Sequence, residues 1–211
     1  QSRMAQAAGA DVLSIITPSF AAASQDELYE HYRAVAKAVR PCPSFSYNIP
    51  ARTGNALAPA TVGRLAQIEN IVGAKDSSGN FTTSWATLTQ ERRNKRQVLH
   101  PVRQRPVNYL DPACRRHSGI AGCANVYPHT MASIYNLFME GKIEEAKAAN
   151  ESIQSFRACF KYGNPNTIVK TATRLLGYNV GPCRAPFNQV PEEGIKALKK
   201  VLAENEAKGM H

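Results

Sequence analysis

A chain of 211 residues, 43% hydrophobic and 20% charged, can bury a sizeable core as one domain or two small ones and is neither disordered nor fibrous in composition. It contains no run of about 18 apolar residues, which excludes a spanning helix, and Gln1 to Ala8 lack the charged start and long apolar stretch of a secretory signal. The net charge of +10 invites a nucleic-acid partner, but +6 of it lies between Glu91 and His117, where eight Arg and Lys accompany two acids and one aromatic, Tyr109. Stacking platforms need several aromatics, so no nucleic-acid partner is expected.

The chain opens within a helical stretch, and "GADVLSIITP" (residues 9–18) then reads as a short strand bounded by turn residues. "SQDELYEHYRAVAKAV" follows, with Ser24 and Glu27 in capping-box spacing and Leu28, Tyr32, Val35 and Val39 on one helical face. "PSFSYNIP" (43–50) is the next strand, and "APATVGRLAQI" a shorter helix with Pro59 in its first turn. "NIVGAKDSS" (70–78) is a third strand, apolar enough to be buried on both faces. Residues 91–117 keep neither helical nor strand periodicity. "GIAGCANVYP" (119–128) reads as a last strand, after which only helices remain: "TMASIYNLFMEGK", "IEEAKAANESIQSFRACFK", "TIVKTATRLLG" and "PEEGIKALKKVLAENEAKG". Strand and helix in alternation imply an α/β fold of βα units around a parallel sheet or barrel. The expected division is a βα portion over 1–130 and a helical layer over 131–211.

The five cysteines, Cys42, Cys114, Cys123, Cys159 and Cys183, are odd in number and form no C-x-x-C pair. That argues against a disulfide framework and against a metal site, and a reducing, cytoplasmic location is expected.

Three residues at strand ends could carry chemistry. Lys75 closes an apolar strand. An ammonium is costly to bury, so a lysine there either reaches solvent or is held as a neutral amine, which is a nucleophile. Tyr47 ends the preceding strand and Arg52 follows five residues later. An amine, a phenol and a guanidinium supply a nucleophile toward a carbonyl, a proton shuttle and a clamp for a carboxylate, a set suited to a 2-oxo acid. Singly, each has a plainer reading as a solvated strand end, a rim aromatic or a loop charge.

"YNIPARTGN" followed by "IVGAKDSSGN" resembles the dihydrodipicolinate synthase / N-acetylneuraminate lyase family, class I aldolases on a (β/α)8 TIM barrel with a C-terminal helical extension. "GADVLSIITP", "GIAGCANVYP" and the helical tail fall in the same order. The resemblance implies that Lys75 forms a Schiff base with pyruvate or a related 2-oxo acid, the second substrate being an aldehyde. It further implies that Tyr47 relays protons, that Arg52 binds a carboxylate or orders the site entrance, and that Ile120 lines the site through its backbone carbonyl. No metal or organic cofactor is implied, and homo-oligomers, dimers or tetramers, are expected.

Three departures stand out. The chain matches roughly the fourth to eighth βα units and is expected to be N-terminally truncated, lacking a Gly-Thr-Thr stretch that holds the substrate carboxylate in the family. Phe20, in "TPSF", stands where the synthases usually carry a second relay tyrosine, and a phenyl ring transfers no proton. That favours an aldolase of sugar-derived 2-oxo acids over the lysine-pathway enzyme. Residues 91–117 replace an expected strand and Gly-rich approach. A codon choice for Arg103 to Ser118, read one base later, gives Gly-Asn-Asp-Pro-Ser-Thr-Ile-Trp-Thr-Leu-Pro-Ala-Gly-Gly-Thr, so this stretch is expected to be frame-shifted. The competing expectations are a non-catalytic remnant of the family and a basic nucleic-acid-binding module.

Overall fold

The computed structural model of the protein describes residues 1–80, 101–102, 118–119 and 121–210, the two isolated pairs by backbone alone. Ile120 lies outside the described residues, as does the basic stretch 91–117 apart from Pro101 and Val102. The chain forms two compact units, Gln1–Ile120 and Ala121–His211.

The first unit alternates as expected. Helix α1 (Ser2–Ala7) leads to β1 (Leu13–Ile16), α2 (Gln25–Val39), β2 (Ser44–Asn48), α3 (Pro50–Thr53), α4 (Pro59–Leu65), β3 (Ile71–Asp76), β4 (Pro101–Val102) and β5 (Ser118–Gly119). All described strand pairs are parallel, and each strand pairs with its sequence neighbour in the order β1-β2-β3-β4-β5. Doubly wound sheets reverse their order at a switch point, whereas uninterrupted succession is the arrangement of a βα barrel.

The capping box makes α2 start where it does. Ser24 Oγ accepts from the Glu27 amide at 3.3 Å, and Glu27 Oε2 accepts from the Ser24 amide at 2.7 Å. Leu28, Tyr32, Ala36 and Val39 then point inward, with Val35 at the edge of that face. Leu28, Tyr32 and Ala36 join Leu57, Val62, Leu65, Ile71 and Ala74 in one apolar cluster between helices and sheet. Fully burying a side chain such as Leu28 contributes about 1.5 to 3 kcal/mol.

Two strand expectations change. Of the segment 119–128, Gly119 is the described residue in the sheet, as the second of the strand Ser118–Gly119, and Gly122–Asn125 forms a 3-10 turn. These small residues bring no β-branched bulk to a ladder, and Pro128 opens the next helix at its first position. Conversely, residues 91–117 showed no strand period, yet Val102 pairs with Asp76. A two-residue strand is too short for any periodicity to mark it.

The second unit is helical: α5 (Pro128–Met139), α6 (Ile143–Ser152), α7 (Gln154–Ala158), α8 (Pro165–Leu175) and α9 (Glu192–Glu206). The run 143–161, expected as one helix, breaks at Ile153. Ser152 Oγ takes the Ala149 carbonyl at 2.7 Å and Gln154 Nε2 takes that of Asn150 at 3.2 Å, side-chain bonds that compete with the helical ladder. The core of this unit is built on Phe156, Ile153, Ile168 and Leu198. The Phe156 ring meets Tyr127 and Phe160 edge to face, with centroids 5.5 and 5.6 Å away, a favoured aromatic geometry. No described helix is long and apolar enough to cross a membrane.

Candidate active site

Lys75 and Tyr47 are brought together by a shift in register. Ser44 pairs with Ile71, but Phe45 pairs with Gly73, so β3 carries one extra residue, Val72. Were the ladder regular, Lys75 would lie opposite Asn48, on the face away from Tyr47. The extra residue returns it to Tyr47, because side-chain direction in a strand alternates with period two. Lys75 and Tyr47 are consequently Cα partners, and Asn48 and Asp76 pair one step further on. Gly73 sits at the step in the ladder, where a residue without a side chain accommodates the local bend.

The lysine Nζ lies 3.8 Å from the centroid of the Tyr47 ring. A cation over an aromatic face gains about 0.5 to 2 kcal/mol, more as water is excluded. Both side chains are half-buried, neither sealed from solvent nor free in it. The Tyr47 hydroxyl accepts a hydrogen bond from Ser77 Oγ at 3.4 Å. The ring face is thus presented to the amine.

Arg52 is exposed on α3, on the loop that leaves β2. Pro50 starts that short helix and Gly54, at φ 81°, ends it in the left-handed region that glycine adopts without strain. Thr53 and Asn55 fix the loop to the segment after β1. Thr17 Oγ1 donates to Thr53 Oγ1 at 2.8 Å, Asn55 Nδ2 donates to the Pro18 and Ala21 carbonyls at 2.9 and 2.7 Å, and the Ala23 amide donates to Asn55 Oδ1 at 2.8 Å. In the same segment, the Phe20 amide donates to the Thr53 carbonyl at 3.2 Å. Phe20 itself is fully exposed at φ 79°, a costly conformation for a bulky residue. The fourth expected residue, Ile120, lies outside the described residues.

The sequence placed Tyr32 on the apolar face of α2 without its hydrogen bond, and it missed Asn48 and Asp76. Tyr32, 2% exposed, donates its hydroxyl to the Ile15 carbonyl at 3.1 Å. Burial pushes that phenol far above the ordinary tyrosine range, against a smaller lowering by a hydrogen bond from the Tyr47 backbone. Tyr32 therefore links β1 to β2 through its hydroxyl. Asn48 and Asp76, both buried, hydrogen-bond to each other at 2.8 Å. Their signal was present in hindsight, since "YN" and "KD" each end an apolar strand with a polar pair. Among the described residues no group of three or more His, Cys, Asp or Glu is placed to hold a metal ion.

A parallel ladder that presents an amine against a phenol ring, beside an arginine loop, is equipped for carbonyl chemistry. Comparison with known proteins shows the family to which the chain belongs. The model of the Dihydrodipicolinate synthetase family matches residues 1–205. A 4-hydroxy-tetrahydrodipicolinate synthase of Archaeoglobus fulgidus is 33% identical over 207 residues, covering 92% of this chain and 66% of that protein. A DapA-like lyase of Halobacterium salinarum is 32% identical over 200 residues, covering 95% and 64%. The chain thus spans just under two thirds of the length of these curated relatives. Among solved structures, dihydrodipicolinate synthase from Thermotoga maritima superposes with a TM-score of 0.90 at 21% identity, covering 97% of this chain and 70% of that one. The chloride-inhibited enzyme of Acinetobacter baumannii in complex with pyruvate gives 0.88 at 26%, covering 97% and 69%. On this match of sequence and of (β/α)8 fold, the chain belongs to the dihydrodipicolinate synthetase family.

Proposed function

We propose that this chain is a Schiff-base lyase, in which Lys75 captures the keto carbon of pyruvate or a related 2-oxo acid. The observation that carries the reading is the in-register placement of Lys75 Nζ against the Tyr47 ring at the carboxyl ends of neighbouring parallel strands, where barrel enzymes hold their chemistry. The neutral amine adds to C2 of the 2-oxo acid, and the carbinolamine loses water to give an iminium. Loss of a proton from C3 then yields an enamine, with the cationic nitrogen as electron sink. The Tyr47 ring face beneath that nitrogen stabilises its positive charge, and the hydroxyl, reached from Ser77, moves protons to and from the carbinolamine oxygen. Arg52, on its tethered loop, offers its guanidinium to the substrate carboxylate. We assign Ile120 a backbone contact to the substrate.

The enamine carbon attacks an aldehyde, forming one C–C bond, and hydrolysis of the product iminium restores Lys75. The Acinetobacter baumannii dihydrodipicolinate synthase, solved in complex with pyruvate, supports pyruvate as the carbon donor. A second reading for the acceptor, an aldehyde of sugar-acid type, is favoured by Phe20, which cannot take part in a proton relay. We place the described strands in the later units of the barrel, followed by the helical layer, and expect the chain to associate with copies of itself in the cytoplasm.

Enamine formation can be read without knowing the aldehyde. The protein in deuterated buffer should exchange the methyl protons of pyruvate for deuterium, followed by proton NMR, and Lys75→Ala should reduce that exchange to the uncatalysed rate. Equal exchange by wild type and variant would refute the Schiff-base reading. No exchange by wild type would identify a non-catalytic member of the family.

A further inference from the structure

Directly behind Lys75 and Tyr47 lies a buried polar pair that the chemistry above does not use. Asn48 and Asp76 follow the two site residues by one position in each strand and pair in register. They point to the opposite face of the sheet, where they are 6% and 5% exposed. Asn48 Nδ2 donates to Asp76 Oδ1 at 2.8 Å, while Asn48 Oδ1 accepts the Leu57 amide at 3.0 Å. The Asn48 carbonyl accepts the Ser77 amide at 2.7 Å. Asp76 also accepts from the Ser78 amide on Oδ1 at 3.3 Å and from the Ser78 hydroxyl on Oδ2 at 2.9 Å.

The connectivity is informative. Leu57 closes the loop that carries Arg52. That loop's other side-chain ties run toward the segment after β1, through Thr17, Thr53, Asn55 and Gln25. A side-chain path from this loop to the strand bearing Lys75 runs from the Leu57 amide through Asn48 to Asp76. Lys75 and Tyr47 are paired by the backbone ladder, which the Asn48 side chain does not form, whereas Arg52 lies beyond β2 and outside that ladder.

We propose that Asn48 and Asp76 are positioning residues, a buried latch that fixes the Arg52 loop relative to the strand end bearing Lys75 and so governs how well the site holds the carboxylate of a 2-oxo acid. The proposal rests on the reading of Lys75 as the Schiff-base lysine. It predicts an effect on substrate affinity in preference to turnover, because the reacting amine stays in place when the latch opens.

Asn48→Asp sets a second carboxylate at hydrogen-bond distance from Asp76, where two negative charges repel. Adding Asp76→Asn restores one donor facing one carboxylate and leaves the Leu57 and Ser78 hydroxyl bonds possible. In the deuterium-exchange assay, Asn48→Asp should raise the half-saturating pyruvate concentration about tenfold or more with a limiting rate within about threefold of wild type, and the double variant should recover most of that affinity. A merely structural role would lower the limiting rate through loss of folded protein and leave the half-saturating concentration unchanged, which overturns the proposal, as does failure of the double variant to recover. Backbone hydrogen exchange of the protein without substrate gives an independent test. Asn48→Asp should speed exchange across residues 50–57 by about tenfold while residues 28–39 keep their protection. Unchanged or uniformly faster exchange overturns the latch. If wild type leaves pyruvate unexchanged, the Schiff-base reading fails and this second measurement still decides the latch.

Discussion

Lys75 owes its direction to the extra residue three positions before it. The motif around the lysine was legible in the sequence, because an amine closing an apolar strand is out of character and invites a chemical explanation. Its contact with Tyr47 was not legible, since a one-residue step in a ladder leaves no mark except a glycine, and glycines in strands have other uses. A comparable steric requirement operates at Gly194 in α9. A Cβ added there would lie 2.8 Å from the Tyr162 Cβ and 2.9 Å from Val190 Cγ1. Alanine would gain up to about 1 kcal/mol of helix propensity, but overpacking against an atom as inflexible as Cβ costs about 1 to 3 kcal/mol. Gly194→Ala is therefore expected to destabilise the protein by about 1 to 2 kcal/mol in urea unfolding, and a stabilised variant would show that α9 shifts freely.

Among the elements, α2 was the most completely readable. Its start is written in the capping box and its buried face in the spacing of Leu28, Tyr32 and Val39. Ser24→Ala removes the cap and should cost about 1 kcal/mol. The penalty has a pH dependence. The Ser24 backbone amide, and secondly its hydroxyl, hold the Glu27 carboxyl below the ordinary glutamate range. A lowered carboxyl stabilises the fold above that range, and the contribution fades as pH falls through the folded value. Alanine keeps the amide and removes only the hydroxyl bond to Glu27, so thermal melts should show a somewhat wider gap between wild type and Ser24→Ala at about pH 7 than at about pH 3; an equal gap at both would contradict the hydroxyl's part in holding the carboxylate. The break at Ile153 escaped the periodicity because Ile143, Ala146, Ala149, Ile153 and Phe156 continue one apolar stripe through it. Side-chain competition for carbonyls at Ser152 and Gln154 decides that break, and stripes do not report it.

At the scale of the molecule, alternation of strands and helices was enough to anticipate parallel strands. That alternation left parallel sheet and barrel open; the resemblance named the barrel, and the unreversed strand order of the structure agrees with it. The sequence placed the division between units at residue 130, whereas the structure puts Ala121–Pro128 with the helices; a turn of small residues between strand and helix carries no compositional signal. Arg52 was found by its motif, while the network that tethers its loop, from Thr17 through Asn55 to Asn48, joins residues too far apart in sequence for any local pattern. All of the proposed chemistry depends on Lys75 being the residue that captures the ketone. The protein should be incubated with pyruvate, reduced with borohydride, digested and mapped by mass spectrometry. A carboxyethyl group on the peptide containing Lys75, and on no other lysine in stoichiometric amount, is the predicted result. An unmodified Lys75, or label spread evenly over surface lysines, would contradict it.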